Sequence, residues 1–158
     1  MTKELISILC QQGKDSLERT FAAVPDDKVA WQPAEGARSA LDAFGDGAQT
    51  LGFMAKMLES KGETPPAFGR EFFAQLKAER AGWTRQEALT QFELNWSRFK
   101  AALEPLTEEQ LAAHVTVPMR GGMTAPLAVW IMMAYRSLIS RFAQINYIQT
   151  LYGDFDSH

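Results

Sequence analysis

Ala125-Pro126-Leu127-Ala128-Val129-Trp130-Ile131-Met132-Met133-Ala134-Tyr135-Arg136-Ser137-Leu138-Ile139-Ser140-Arg141-Phe142-Ala143-Gln144-Ile145-Asn146-Tyr147-Ile148-Gln149-Thr150-Leu151-Tyr152 forms one long helical pattern, the most apolar in the chain. Thr124 is placed to cap it, Pro126 suits its first turn, and Gly153 stops it. Near its start Leu127, Val129, Trp130, Ile131, Met132 and Met133 leave no polar face. A helix apolar all round is buried on all sides, in a bundle centre or partly against a second subunit.

The rest of the chain supplies its neighbours. Leu5, Leu9, Leu17, Phe21 and Val24 recur at helical spacing from Thr2 or Lys3 until Pro25-Asp26-Asp27. Ser39, with Asp42 in a capping-box pattern, opens a second helix whose apolar face is Leu41, Phe44, Ala48, Leu51, Met54 and Leu58; Lys61 to Pro66 ends it. Gly45 and Gly47 lie inside this helix at about 1 kcal/mol each relative to alanine, which close packing or a local kink would explain equally. Between Gly69 and Arg80 a short helix with Phe72, Phe73 and Leu76 on one side reads as a lid over one bundle end. Thr84-Arg85-Gln86-Glu87 is a capping box opening a third long helix, with Ala88, Phe92, Trp96, Phe99 and Leu103 inward. A short turn begins at Thr107, and Val115 to Met123 alternates toward a Gly-Gly turn like an irregular or hairpin loop. Four long helices with long connections and a short extra helix between the second and third predict an all-α four-helix bundle, one domain over residues 1–158.

Composition narrows the function classes. A chain of 158 residues, 46% hydrophobic and 22% charged, buries roughly 70% of its unfolded surface and needs no metal or disulfide to fold. The lone Cys10 sits in an apolar helical stretch as an inert packed thiol, and structural zinc or a redox dithiol is excluded by counting. No signal-peptide layout and no apolar run of about 20 residues appear, so a cytoplasmic location and no membrane partner are expected. A formal net charge of −3 without clustered Lys and Arg argues against nucleic acid. His114 and His158 are the two histidines, one in a loop and one at the chain end, and neither makes an i, i+4 ligand pair. No phosphate loop, dinucleotide fingerprint or nucleophile elbow is present. Trp31, Trp96 and Trp130 read as core residues.

Two stretches carry a resemblance. Trp31-Gln32-Pro33-Ala34-Glu35-Gly36-Ala37-Arg38-Ser39-Ala40-Leu41-Asp42 resembles the Trp-x-Pro then Ser-x-x-Glu approach to helix two of the DinB/YfiT-like helical-bundle proteins. Gln144-Ile145-Asn146-Tyr147-Ile148, followed by Leu151-Tyr152-Gly153, resembles that family's Gly-Gln-Ile-x-Tyr-Ile ending of the last helix. The family includes metal-dependent thiol S-transferases acting with low-molecular-weight thiols. The resemblance implies a metal held by one histidine on helix two and two on the last helix. Those positions are Asp46, Ser137 and Arg141 here. Arg141 offers only donors and stays protonated, so the resemblance implies a divergent member that has lost the metal site.

Asp46 and Arg141 are then expected to pair across the bundle, with Ser137 and Gln144 on the same helix line completing the hydrogen bonds, or else to stand solvated at a cleft mouth. Two functions stay open. One is a metal-free ligand-binding or interaction protein whose pocket of Asp46, Ser137, Arg141 and Gln144 takes a small anion. The other is a divergent thiol S-transferase-like or isomerase-like enzyme holding zinc or nickel through Asp46 with help from His114. The family also implies a homodimer.

Overall fold

The computed structural model describes residues 2–119 and 121–158. The elements run α1 (Lys3–Ala22), α2 (Ala40–Glu59), α3 (Arg70–Arg80), α4 (Arg85–Leu103), α5 (Glu108–Ala112), β1 (His114–Val117), β2 (Met123–Pro126) and α6 (Leu127–Leu151). The helix starts follow the capping chemistry. Thr2 accepts the Leu5 N–H and Ser39 the Asp42 N–H, while Thr84 with Glu87 and Thr107 with Gln110 close full capping boxes. The box at Ser39 is left half made, because the Asp42 carboxylate is turned instead to Arg80 at 2.7 Å.

Helix α6 departs from expectation at its start. Thr124 does not cap it: the residue lies in β2, and its hydroxyl pairs with that of Thr116 at 2.8 Å across the antiparallel hairpin. The chain passes from β2 straight into the helix, and the Leu127 N–H donates to the Ala113 carbonyl at 2.8 Å, so backbone replaces a side-chain cap. Nor is the apolar start buried on every side. Leu127, Ala128, Trp130, Ile131 and Ala134 are interior, whereas Val129 is 48% exposed.

Contacts across the bundle give the helix directions. Thr20 meets Asn146 and Gln149, and Gly13 lies against Tyr135 and Leu138, so α1 and α6 run parallel. Asp46 meets Arg141 and Thr50 meets Ser137, so α2 is antiparallel to α6. Asn95 donates to the Ala48 carbonyl and Arg98 clamps Glu59, so α2 and α4 are parallel. The order is up, down, down, up. Between two parallel neighbours the chain must return the length of the bundle, and residues 60–84 do so with α3 lying along its side. Helix α3 is therefore a side wall rather than a lid over one end.

Phe21, Phe44 and Phe92 stack through the middle of the core, with ring centroids 4.0 and 4.7 Å apart. The α2 glycines answer to packing, not to a kink. A Cβ on Gly47 would sit 2.9 Å from Leu17 Cδ2, and one on Gly45 would sit 3.2 Å from Arg80 Cδ. Gly45 is what lets α3's last residue reach the acidic side of α2.

Candidate functional site

On α2, Asp42, Asp46 and Gln49 follow each other at i, i+4 and i+7, so three acceptors share one helix face. On α6, Ser137, Arg141 and Gln144 repeat the spacing. The antiparallel packing brings the two lines together. Arg141 Nε donates to Asp46 Oδ2 at 2.7 Å, and its Nη1 donates to Gln144 Oε1 at 3.0 Å. Ser137 does not touch this pair. Its hydroxyl meets Thr50 Oγ1 at 3.0 Å, and Thr50 in turn donates to the Asp46 carbonyl at 2.9 Å.

Two further arginines converge on the same carboxylate. Arg80, from the end of α3 and 5% exposed, donates to Asp42 at 2.7 Å and to Gln49 at 2.9 Å, and its Nη2 lies 3.3 Å from Asp46 Oδ1. Arg38, from the loop before α2, approaches both aspartates at 3.4 Å. Its Nη1 is buried without a hydrogen-bond partner among the described residues. Three guanidinia thus face two carboxylates. Sequence reasoning missed Arg38 and Arg80; the available signal was a line of three acceptors on α2 with too few donors on α6 to satisfy it.

A cavity of about 590 Å³ opens beside this network, bounded by α2, α3, α6 and Met119 of the hairpin loop. Among the described residues its lining holds five cationic side chains (Arg38, Lys77, Arg80, Arg136 and Arg141) and one carboxylate, Asp46. The overall charge of the chain is −3, so this excess of cationic side chains is local to the cleft. Trp130 is 5% exposed but lines the cavity, with its Nε1–H donating to the Val115 carbonyl at 3.0 Å. Trp96 is core, and Trp31 is half-buried with its ring edge-on to Tyr152.

The residues present do not fit a divalent cation. Asp46 is the one carboxylate in the described lining, three guanidinia lie on it at 2.7–3.4 Å, and a dication beside three fixed positive charges is electrostatically opposed. Among the described residues no three of His, Cys, Asp and Glu converge. His114 opens β1 outside the cavity lining, and His158 pairs with Asp154 at 2.9 Å near the chain end. Cys10 is buried in the core, where desolvation pushes its thiol up to about 12 against the opposing effect of a backbone hydrogen bond at Tyr135.

Residues 10–135 match the model of the DinB superfamily. The chain belongs to the DinB superfamily. The match runs from α1 into the first part of α6 and ends short of Ser137 and Arg141. Solved structures with the same fold include a mycothiol-dependent maleylpyruvate isomerase (TM-score 0.73, 16% identity, 92% of this chain and 61% of that one). This chain therefore spans 61% of that enzyme, less than two thirds of its length. YfiT from Bacillus subtilis, described as a probable metal-dependent hydrolase with an unusual four-helix bundle topology, matches with a TM-score of 0.75 and 13% identity, over 96% of this chain and 87% of YfiT. A DinB-like protein from the same bacterium matches at 0.66 and 15% identity, over 94% and 92% of the two chains. At such identities the likeness shows the fold alone. No curated protein matches this DinB-superfamily chain by sequence. Among the described residues no helix is long and apolar enough to cross a membrane.

Proposed function

We propose that this DinB-superfamily chain is a metal-free binding protein, in which an arginine–aspartate network stands where the family resemblance places a metal and the adjoining cavity receives a small anionic ligand. The observation that carries this reading is the contact of Arg141 with Asp46 at 2.7 Å, with Arg38 and Arg80 on the same carboxylate. A guanidinium and a carboxylate match in charge and shape, so the pair satisfies the electrostatics that a dication would otherwise have to satisfy. With Asp46 so occupied, the cationic remainder of the lining is available to an anion. The reading takes the protein as a cytoplasmic homodimer, its single unpaired thiol suiting a reducing compartment.

Metal analysis of protein purified without chelator, before and after incubation with zinc or nickel, tests it. The expected result is far less than one equivalent of either metal, unchanged in Asp46→Ala. Stoichiometric metal that is lost in Asp46→Ala would overturn the reading in favour of a thiol S-transferase-like or isomerase-like enzyme built on Asp46.

A further inference from the structure

The three helices around the cavity change character at the same level. On α2 the lining passes from Asp46 and Thr50 to Phe53, Met54 and Met57; on α6, running the other way, it passes from Arg141, Ser140 and Ser137, past Arg136, to Met133 and Trp130, with Arg136 Nη1 3.9 Å from Met133 Sδ. On α3 it passes from Arg80 and Lys77 to Phe73, with Phe68 just before the helix. Because α2 is antiparallel to α6, and α3 carries Arg80 to the Asp46 level and Phe73 to the Phe53 level, these gradients coincide in space. One end of the chamber is cationic and the other is mainly aromatic and thioether, with Arg136 at the boundary.

From this we infer that the cavity binds an amphipathic organic anion, a carboxylate head on an acyl or aryl body. The head lies against Arg38 and Arg141, and the body lies among Phe53, Phe73, Met57 and Met133. The inference rests on the anion-binding reading above and adds the apolar body to it. Arg38 is the natural receiver of the head. It lines the cavity with a side chain 38% exposed and makes only long ionic contacts with Asp42 and Asp46, both 3.4 Å. A carboxylate oxygen of the head would give its guanidinium a closer acceptor, at the strength of a charge-assisted hydrogen bond. A bare inorganic anion would use that end and leave the apolar half of about 590 Å³ filled with water against Phe and Met side chains. A volume of that size is ordinary for a small organic ligand. Four methionines in the lining, Met54, Met57, Met119 and Met133, are adaptable walls, so selectivity falls on the head more than on the shape of the body.

Titration calorimetry of the full chain with octanoate, octyltrimethylammonium, acetate and inorganic phosphate, all below micellar concentrations, tests the inference. Octanoate is expected to bind once per chain, and Arg38→Gln to weaken it by at least about tenfold, the loss of one hydrogen bond to a charged group. Phe73→Ser, at a side chain already 49% exposed, is expected to weaken octanoate without unfolding the bundle. Circular dichroism of each variant verifies the fold. Acetate or phosphate binding as tightly as octanoate would overturn the amphipathic assignment and leave the anion-binding reading standing. Equal binding of octyltrimethylammonium would overturn the assignment of a cationic head site. Failure of every anion to bind would overturn both readings.

Discussion

Asp46 shows how the number of partners sets the cost of losing one. With Arg141 alone opposite it, Arg141→Ala would leave a largely buried carboxylate unpaired, a loss on the order of 3 kcal/mol. Arg38 and Arg80 remain on the same carboxylate, so the expected loss falls to about 1 kcal/mol, in line with removal of one hydrogen bond from a satisfied group. Arg80→Ala is the costlier change, at about 3 kcal/mol, because Arg80 is interior and serves Asp42, Asp46 and Gln49 at once. Urea unfolding of the two variants ranks them, and equal losses would show that the network is not centred on Arg80. The Asp46–Arg141 pairing was within reach because the family resemblance places both residues at metal-ligand positions on two helices that a metal would link. Arg38 and Arg80 come from a loop and a helix end, where periodicity says nothing about direction. Cys10 makes a second prediction at this scale. With desolvation holding its thiol at about 12, it should stay unreacted with Ellman's reagent at neutral pH until the chain is unfolded.

Among the elements, α3 carries the difference between what the pattern of the chain allowed and what the molecule does. Its existence and its Phe face were legible from the apolar spacing. Its course was not, because that depends on α2 and α4 being parallel, a long-range fact no local window contains. The same parallel packing sets Glu59, the last residue of α2, beside Arg98 of α4. The Arg98 hydrogen bond holds the Glu59 carboxyl below its ordinary value, against the opposing effect of desolvation. A carboxyl depressed in the folded state adds stability above its unfolded value near 4.5 and loses it as pH falls through the folded value. Both side chains are 41% exposed, so solvent and salt screen the pair, and Glu59→Gln should cost below about 1 kcal/mol at pH 7. The cost should vanish in acid and shrink in high salt. Thermal melts stepped down from pH 7 through 4.5 check this, and a penalty that does not shrink as pH falls would point to packing instead. The start of α6 adds a further lesson. Its composition suggested burial all round, yet the hairpin feeding it leaves Val129 outside.

Across the whole molecule, the parallel course of α1 and α6 aligns their outer faces at one end. Cys10 lies level with Tyr135 and Gly13 with Leu138, so Leu5 and Ile8 of α1 stand level with Trp130 and Met133 of α6. Leu5 is 46% exposed, Ile8 48% and, on α6, Val129 48%. Isolated apolar side chains are ordinary on a surface and do not by themselves mark an interface. A homodimer, which the family resemblance implies, would pair two-fold through these outer faces of α1 and α6 and leave the charged cavity between α2, α3 and α6 open to ligand. Light scattering at several concentrations should give twice the monomer mass. Ile8→Glu, which places four new carboxylates in the dimer when combined with Val129→Glu, should shift the double variant to monomer without lowering anion binding. A monomeric parent chain at all concentrations would sink the expectation, as would a double variant that stays dimeric; loss of anion binding on dissociation would instead mean that the cavity depends on the partner chain.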